Sequence, residues 1–300
     1  MKRQRLAAAI TAVVCFAAAL LDPIGAAAET CGATDAPCVI TVAGESGMYN
    51  VETPPRSDDA PIPALVFLHG WGGSGEGQMR SRALVESITA RGYAFIAPTG
   101  QPRGEGRNGA RWNAFGTQAL RDDVAFLRAV AQDAAERFNL DRDRILLGGF
   151  SGGGMMTWRV ACDAPDDFAA YAPVAGLLWR PLPDACAGPI RLLHTHGWSD
   201  PVVPIEGRSV AGGRITQGDL FEGLDLLRRA NGCVKDDPDA YAEDGPFWRR
   251  VWTACAPGSA LEMALHKGGH TTPRGWSAMA LDWFEGQLGA TTAERVGGRD

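Results

Sequence analysis

Nine residues, Gly148 to Met156, read GGFSGGGMM and follow directly on the apolar run Arg144-Ile-Leu-Leu147. Glycine loses more backbone freedom on ordering than any other residue. Five glycines around one serine therefore mark a place where the chain must turn tightly with no room for side chains. An apolar strand that enters such a turn and a helix that leaves it hold Ser151 in a strained backbone with its hydroxyl projecting above a sheet. Gly149-Phe-Ser-Gly-Gly153 fits the G-x-S-x-G pattern in that context. The plain alternative is a glycine-rich strand–helix turn with an incidental serine.

The rest of the sequence supplies the sheet. Short apolar runs recur at Ala64–Leu68, Tyr93–Ala97, Arg144–Leu147, Phe168–Val174, Ile190–Leu193 and Leu261–Leu265. Helical spacing separates them, with Val124, Leu127, Val130, Ala134 and Phe138 in one segment and Leu220, Leu224 and Leu227 in another. Buried strands interleaved with amphipathic helices predict an α/β fold, a mostly parallel central sheet with helices on both faces. A hairpin with a Gly44-Glu-Ser-Gly47 turn is expected over residues 39–53, and a final helix over about 276–288.

A serine hydroxyl needs a base to take its proton and a carboxylate to orient that base. With the serine at a strand–helix turn, the chain order is serine, acid, histidine. His270, on the loop after the last apolar run, is the expected base; His266 ends that run and reads as a strand or supporting residue. Asp200, on the loop His196-Gly-Trp-Ser-Asp200-Pro201, is the expected acid. The oxyanion formed on attack needs two preset donors, expected at the N–H groups of Gly152 and Trp71, with His69 bracing the Trp71 loop. Trp71, Trp112, Phe115, Trp198 and Trp276 lie near the presumed strand ends and form the candidate aromatic cleft for substrate.

Two other readings of these segments are weaker. Gly70-Trp-Gly-Gly-Ser-Gly75 fits G-x-G-x-x-G, but the next strand ends Ala97-Pro98-Thr99 with no acid for a ribose. His194 and His196 could offer two ligands on one strand face, yet the next acid stands in no metal-binding spacing. No metal and no cofactor are expected.

Residues 1–28 read as an export signal: the cationic start Met1-Lys-Arg-Gln-Arg5, the apolar run Leu6 to Leu21 and the Ala26-Ala27-Ala28 cleavage site. That run of about 16 residues is short of the roughly 20 that span a bilayer, so no membrane anchor is expected. The formal net charge of −6 becomes −8 without this segment, 26 basic against 34 acidic residues. That balance argues against a nucleic-acid partner. Residues 29–290 are expected to form one catalytic domain, followed by a short polar tail, 291–300, in a secreted or periplasmic monomer.

Of the seven cysteines, Cys15 lies in the signal, leaving Cys31, Cys38, Cys162, Cys186, Cys233 and Cys255. An even number in an exported chain reads as disulfides, and the local set 31–38, 162–186 and 233–255 is favoured.

With these residues placed, the chain resembles the secreted esterases of the polyhydroxybutyrate depolymerase and feruloyl esterase group, within the α/β-hydrolase fold. The carriers are LVFLHGWGGSG, RDDVAFLR, DRDRILLGGFSGGGMM, FAAYAPVAG, HGWSDPVVP, NGC and GGHTTP. The resemblance implies Ser151 as nucleophile, Asp200 as acid and His270 as base, and supports the 162–186 and 233–255 disulfides. Many polymer-degrading relatives carry cysteine where Trp71 stands, and members of the group often carry tryptophan where Thr272 stands. No separate polymer-binding module is expected after the catalytic domain. The resemblance therefore implies a small or oligomeric ester as partner, of hydroxycinnamoyl or other carbohydrate-linked type. Hydrolysis of hydroxybutyrate oligomers, and acyl transfer to an alcohol on the same three residues, are the alternatives.

Overall fold

A computed structural model of the chain describes residues 31–104 and 106–297. The expected signal segment, residues 1–28, lies outside these. The chain opens with β1 (Cys38–Val42), β2 (Glu45–Glu52) and β3 (Ile62–Leu68). Two short helices, α1 (Gly75–Met79) and α2 (Arg82–Thr89), lead to β4 (Ala94–Pro98) and to the small ribbon β5 (Gln101–Pro102) and β6 (Ala110–Arg111). Then come α3 (Asp123–Phe138), β7 (Leu140–Phe150), α4 (Gly152–Asp163), β8 (Ala170–Val174) and β9 (Arg191–Gly197). A second ribbon, β10 (Ser209–Val210) and β11 (Ile215–Thr216), precedes α5 (Leu220–Ala230). The chain closes with β12 (Ala240–Asp244), β13 (Phe247–Trp252), β14 (Ala260–His266) and α6 (Trp276–Gly297).

Ten strands form one sheet in the order β1-β2-β4-β3-β7-β8-β9-β14-β13-β12. The six central strands, β4 to β14 in that order, pair in parallel. They are the six apolar runs of the sequence. Antiparallel hairpins, β1–β2 and β12–β13, flank them. This is the α/β-hydrolase arrangement of a large, mostly parallel sheet between helices.

Both sheet faces are covered, which is why the central strands read as continuous apolar runs instead of alternating ones. In β3, Ala64, Val66 and Leu68 face a layer holding Phe126 and Leu127 of α3, Met156 and Trp158 of α4 and Leu224 of α5. Leu65 and Phe67 face the other layer, with Val85 and Ile88 of α2 and Trp276, Leu281 and Phe284 of α6. Asp122 caps α3 by accepting from the N–H groups of Val124 and Ala125, and Asp219 caps α5 in the same way. Among the described residues, no helix is long and apolar enough to cross a membrane.

Disulfides join Cys31 to Cys38, Cys162 to Cys186 and Cys233 to Cys255. The second ties the end of α4 to the segment before β9, and the third ties the end of α5 to the segment after β13. Loops of this size give about 3 kcal/mol each on the chain-entropy account.

Two local expectations are corrected, and one hairpin was not foreseen. The first hairpin turns on Ala43 and Gly44 alone, both at positive φ, so that Val42 pairs with Glu45; Ser46 and Gly47 belong to β2. The β12–β13 hairpin has no strong signal because β12, AYAED, is exposed along its whole length. Helix α6 continues to Gly297 and takes in most of the residues expected to form a tail, since Ala293-Glu-Arg295 are good helix formers with no proline to stop them.

The elbow at Ser151 is where packing is tightest. Ser151 sits at φ 56°, ψ −116°, between the end of β7 and the first residue of α4. A Cβ on Gly149 would stand 2.6 Å from the carbonyl of Gly153, and one on Gly153 would run into the carbonyl oxygen of Leu68. A methyl group there has no flexible neighbour to displace. Gly153→Ala is therefore expected to lower unfolding free energy by about 3 kcal/mol or more, read from urea denaturation; a loss under about 1 kcal/mol would show that β3 and α4 can separate at no great cost.

Candidate active site

The six parallel strands all point the same way, so the loops leaving β3, β4, β7, β8, β9 and β14 gather at one edge of the sheet. Ligand sites of open α/β sheets form at this edge. Ser151 stands at its centre, on the loop after β7. Its N–H donates to Val174 O at 2.9 Å, and its carbonyl accepts from Met155 N–H at 2.9 Å. The strained residue is thus held from both sides.

His270 Nε2 lies 2.9 Å from Ser151 Oγ, and His270 Nδ1 lies 2.7 Å from Asp200 Oδ2. The other carboxylate oxygen, Oδ1, accepts from Val202 N–H at 2.8 Å and Val203 N–H at 2.9 Å. Asp200 is buried and His270 partly so. A carboxylate that accepts from the imidazole Nδ1–H leaves Nε2 free to take the serine proton. The loops carrying these groups are tied to one another: Trp198 N–H donates to His266 O at 2.7 Å, and Ser199 N–H to Gly268 O at 3.1 Å. Gly197 permits this, because a Cβ there would strike the carbonyl of Gly269.

His266, the other late histidine, turns away from Ser151. Its Nδ1 accepts from Gly268 N–H at 3.0 Å, so it braces the loop that carries His270. Burial lowers its proton affinity.

The loop after β3 lies over the serine. A Cβ on Gly70 would stand 3.5 Å from Ser151 Cβ, and one on Gly152 would stand 3.3 Å from Trp71 N. Among the described residues, neither the N–H of Trp71 nor that of Gly152 donates to a backbone carbonyl. Two unspent donors thus stand together beside Ser151, one of them at the N-terminus of α4, where the helix dipole favours negative charge.

His69 holds that loop. Its Nδ1–H donates to Gly70 O at 2.7 Å, and its Nε2 accepts from Gly100 N–H at 3.0 Å. Trp112 Nε1–H in turn donates to His69 O at 2.9 Å. Burial pushes the His69 imidazole down to about 4. It is a neutral bridge between two loops.

The five aromatic residues expected in a cleft divide. Trp71 and Trp198 are 59 % and 61 % exposed, while Trp112 and Trp276 are 5 % and 1 % exposed. Trp112 supports the His69 loop, and Trp276 packs edge-on against Phe67 in the core. Neither buried ring presents a surface to a ligand, so Trp112 and Trp276 are corrected to structural residues. Phe115 is half-exposed and stacks on Trp179, from the loop after β8, at 4.4 Å. Trp179 was missed because it stands five residues beyond the end of β8, outside the apolar run that marks that strand.

A buried polar cluster beneath the loop after β4 was also missed. Arg121 Nε donates to Asp123 Oδ1 at 2.7 Å, and Asp123 Oδ2 accepts from Asn113 N–H at 2.7 Å. Gln101 Oε1 accepts from Arg121 N–H at 2.9 Å. Burial raises the Asp123 pKa, and the Arg121 charge opposes that rise. This cluster fixes the loop that presents Trp112 to His69. The adjacent Arg121-Asp-Asp123 run was its one trace in the sequence.

The folded His69 takes a proton only near pH 4, whereas the unfolded one takes it near 6.5. Its contribution to stability is complete above pH 6.5 and is lost as the pH falls toward 4. Wild type should therefore lose about 3 kcal/mol more than His69→Gln between pH 7 and 4, followed by urea midpoints. Parallel curves for the two proteins would mean that His69 is protonated in the fold.

Residues 63–202 match the family model described as the alpha/beta hydrolase fold. The chain is 30 % identical over 259 residues to the esterase candidate NocK of Nocardia uniformis subsp. tsuyamanensis, covering 79 % of this chain and 73 % of that one. It is 25 % identical over 273 residues to feruloyl esterase D of Neurospora crassa, covering 83 % and 85 %. Among solved structures, the acetyl xylan esterase from Aspergillus awamori superposes with a TM-score of 0.58 at 18 % identity, over 80 % of this chain and 94 % of that one, a likeness of fold. The chain belongs to the esterases of the α/β-hydrolase superfamily.

Proposed function

We propose that the protein is an exported serine esterase that cleaves carboxylic esters through an acyl-enzyme on Ser151. The observation that carries this reading is the unbroken chain from Ser151 Oγ to His270 at 2.9 Å and from His270 to Asp200 at 2.7 Å. Ser151 Oγ attacks the ester carbonyl while His270 Nε2 takes its proton, and Asp200 stabilises the imidazolium. The N–H groups of Gly152 and Trp71 receive the developing oxyanion. As the tetrahedral species collapses, His270 gives its proton to the departing alcohol. Water then attacks the acyl-serine, with His270 again as base, and the acid leaves.

The acyl group is proposed to be aromatic, of the hydroxycinnamoyl type, on a carbohydrate or other small alcohol. Two observations support this: the exposed Trp71 and Trp198 on loops that also carry site residues, and relatives named as feruloyl esterases, C of Emericella nidulans and D of Neurospora crassa. Export is supported by the three disulfides and by the signal pattern of residues 1–28.

A panel of methyl ferulate, nitrophenyl acetate and hydroxybutyrate oligomers separates these readings. Ser151→Ala is expected to lower kcat by a factor on the order of 10⁴ on every ester. Trp71→Ala and Trp198→Ala, which leave the backbone N–H groups in place, should raise KM for methyl ferulate about 3- to 10-fold and leave that for the acetate unchanged. A strong preference for the hydroxybutyrate oligomers would replace the aryl reading, and full activity of Ser151→Ala would end the serine mechanism.

A further inference from the structure

Strand β9 carries two histidines, His194 and His196, both fully buried and neither bonded to Ser151 or His270. Trp158 of α4 donates its indole N–H to His194 Nδ1 at 3.1 Å. An indole can only donate, so His194 Nδ1 accepts and its ring proton sits on Nε2. That nitrogen faces His196 Nδ1 at 3.0 Å. His196 Nδ1 therefore accepts as well, and its own proton sits on Nε2, 2.7 Å from the carbonyl oxygen of Val203. A donor-only group at one end and an acceptor-only group at the other fix the direction of all three bonds and the tautomer of both rings.

The chain ends at the turn that holds Asp200. Val203 N–H donates to Asp200 Oδ1, so Val203 is tied through both its N–H and its C=O. His196 Nε2 also stands 3.6 Å from Asp200 Oδ2, the oxygen that faces His270. All four ring nitrogens of the pair are spent in this way, which leaves none for a metal ion. Burial lowers the proton affinity of both rings. A second proton on either would set two N–H groups against each other.

We propose that His194 and His196, ordered by Trp158, are positioning residues that fix the Asp200 turn and thereby the aim of His270 at Ser151. This rests on the triad reading above. Its physical content is that the carboxylate takes its orientation from the Val202 and Val203 N–H groups. Val203, whose side chain is buried in the core, has the direction of its backbone set by the bond of its carbonyl to His196. Neither histidine touches substrate, so the effect belongs on turnover and not on binding.

The variant His196→Phe keeps the ring volume and removes the donor to Val203; His196→Gln returns an N–H at similar reach. On the preferred ester, His196→Phe is expected to lose kcat by a factor on the order of 10² with KM within about 2-fold, and His196→Gln to recover about tenfold of that loss. Wild-type kcat in a folded His196→Phe, or a Gln variant no better than Phe, overturns the proposal. A measurement on the wild-type protein covers the case in which His196→Phe does not fold. At about pH 6, where much of an ordinary imidazole is protonated, ¹⁵N spectra of labelled histidine should find His194 and His196 both neutral with the proton on Nε2. A proton on Nδ1, or a charged ring, at either residue overturns it equally. Ser151→Ala separates the two levels: if it stays active the triad reading fails, and if it is inactive while His196→Phe turns over normally, only the positioning role fails.

Discussion

The backbone of α4 meets the end of β3 so closely that no side chain fits at Gly153, and the geometry around Ser151 follows from that contact. With the helix this near the sheet, β7 has a single residue in which to reverse, and Ser151 takes a positive φ that a side chain seldom adopts. The same approach brings the first residue of α4 beside the loop after β3, where a Cβ on Gly152 would stand 3.3 Å from Trp71 N. The wide parallel sheet supplies the rigidity that keeps such a strained residue in place, since its central strands are buried on both faces.

Around this centre buried polar groups tie the loops to one another. His69 bridges the loops after β3 and β4, Arg121 and Asp123 anchor the latter, and His266 braces the loop after β14. The His194–His196 pair ends on the loop after β9. His69, His194 and His196 thus serve as neutral, directional connectors, while His266 bonds through Nδ1 alone among the described residues. A buried imidazole suits this task because it can accept on one nitrogen and donate on the other, and burial keeps it uncharged at neutral pH. The exposed rings of Trp71 and Trp198 ride on loops fixed in this way.

Much of the frame was legible in the sequence. All six parallel strands appear as apolar runs, and the G-x-S-x-G context, chain order and loop position together singled out Ser151, Asp200 and His270, of which His270 stands within hydrogen-bonding distance of the other two. Local patterns carry that information: burial on two faces writes a continuous apolar run, and a tight elbow writes glycine. What stayed hidden depends on partners distant in sequence. Trp112 and Trp276 sit near strand ends as Trp71 and Trp198 do, and only the packing against His69 and Phe67 decides that they are buried. The edge strand β12 escaped because an exposed strand has no apolar signature. His194 and His196 carried only a weak metal-ligand reading in the sequence, and their role shows only once Trp158, 36 residues away in sequence from His194, is seen to donate to the first of them.

The central claim is that Ser151 carries the acyl group between two half-reactions. Rapid acid quench during turnover of a nitrophenyl ester, followed by mass spectrometry of the peptides, tests it most directly. The account predicts a mass increase equal to the acyl group on the peptide containing Ser151, formed before steady state and absent from Ser151→Ala. Turnover with no adduct at any time, or an adduct on another residue, would contradict it.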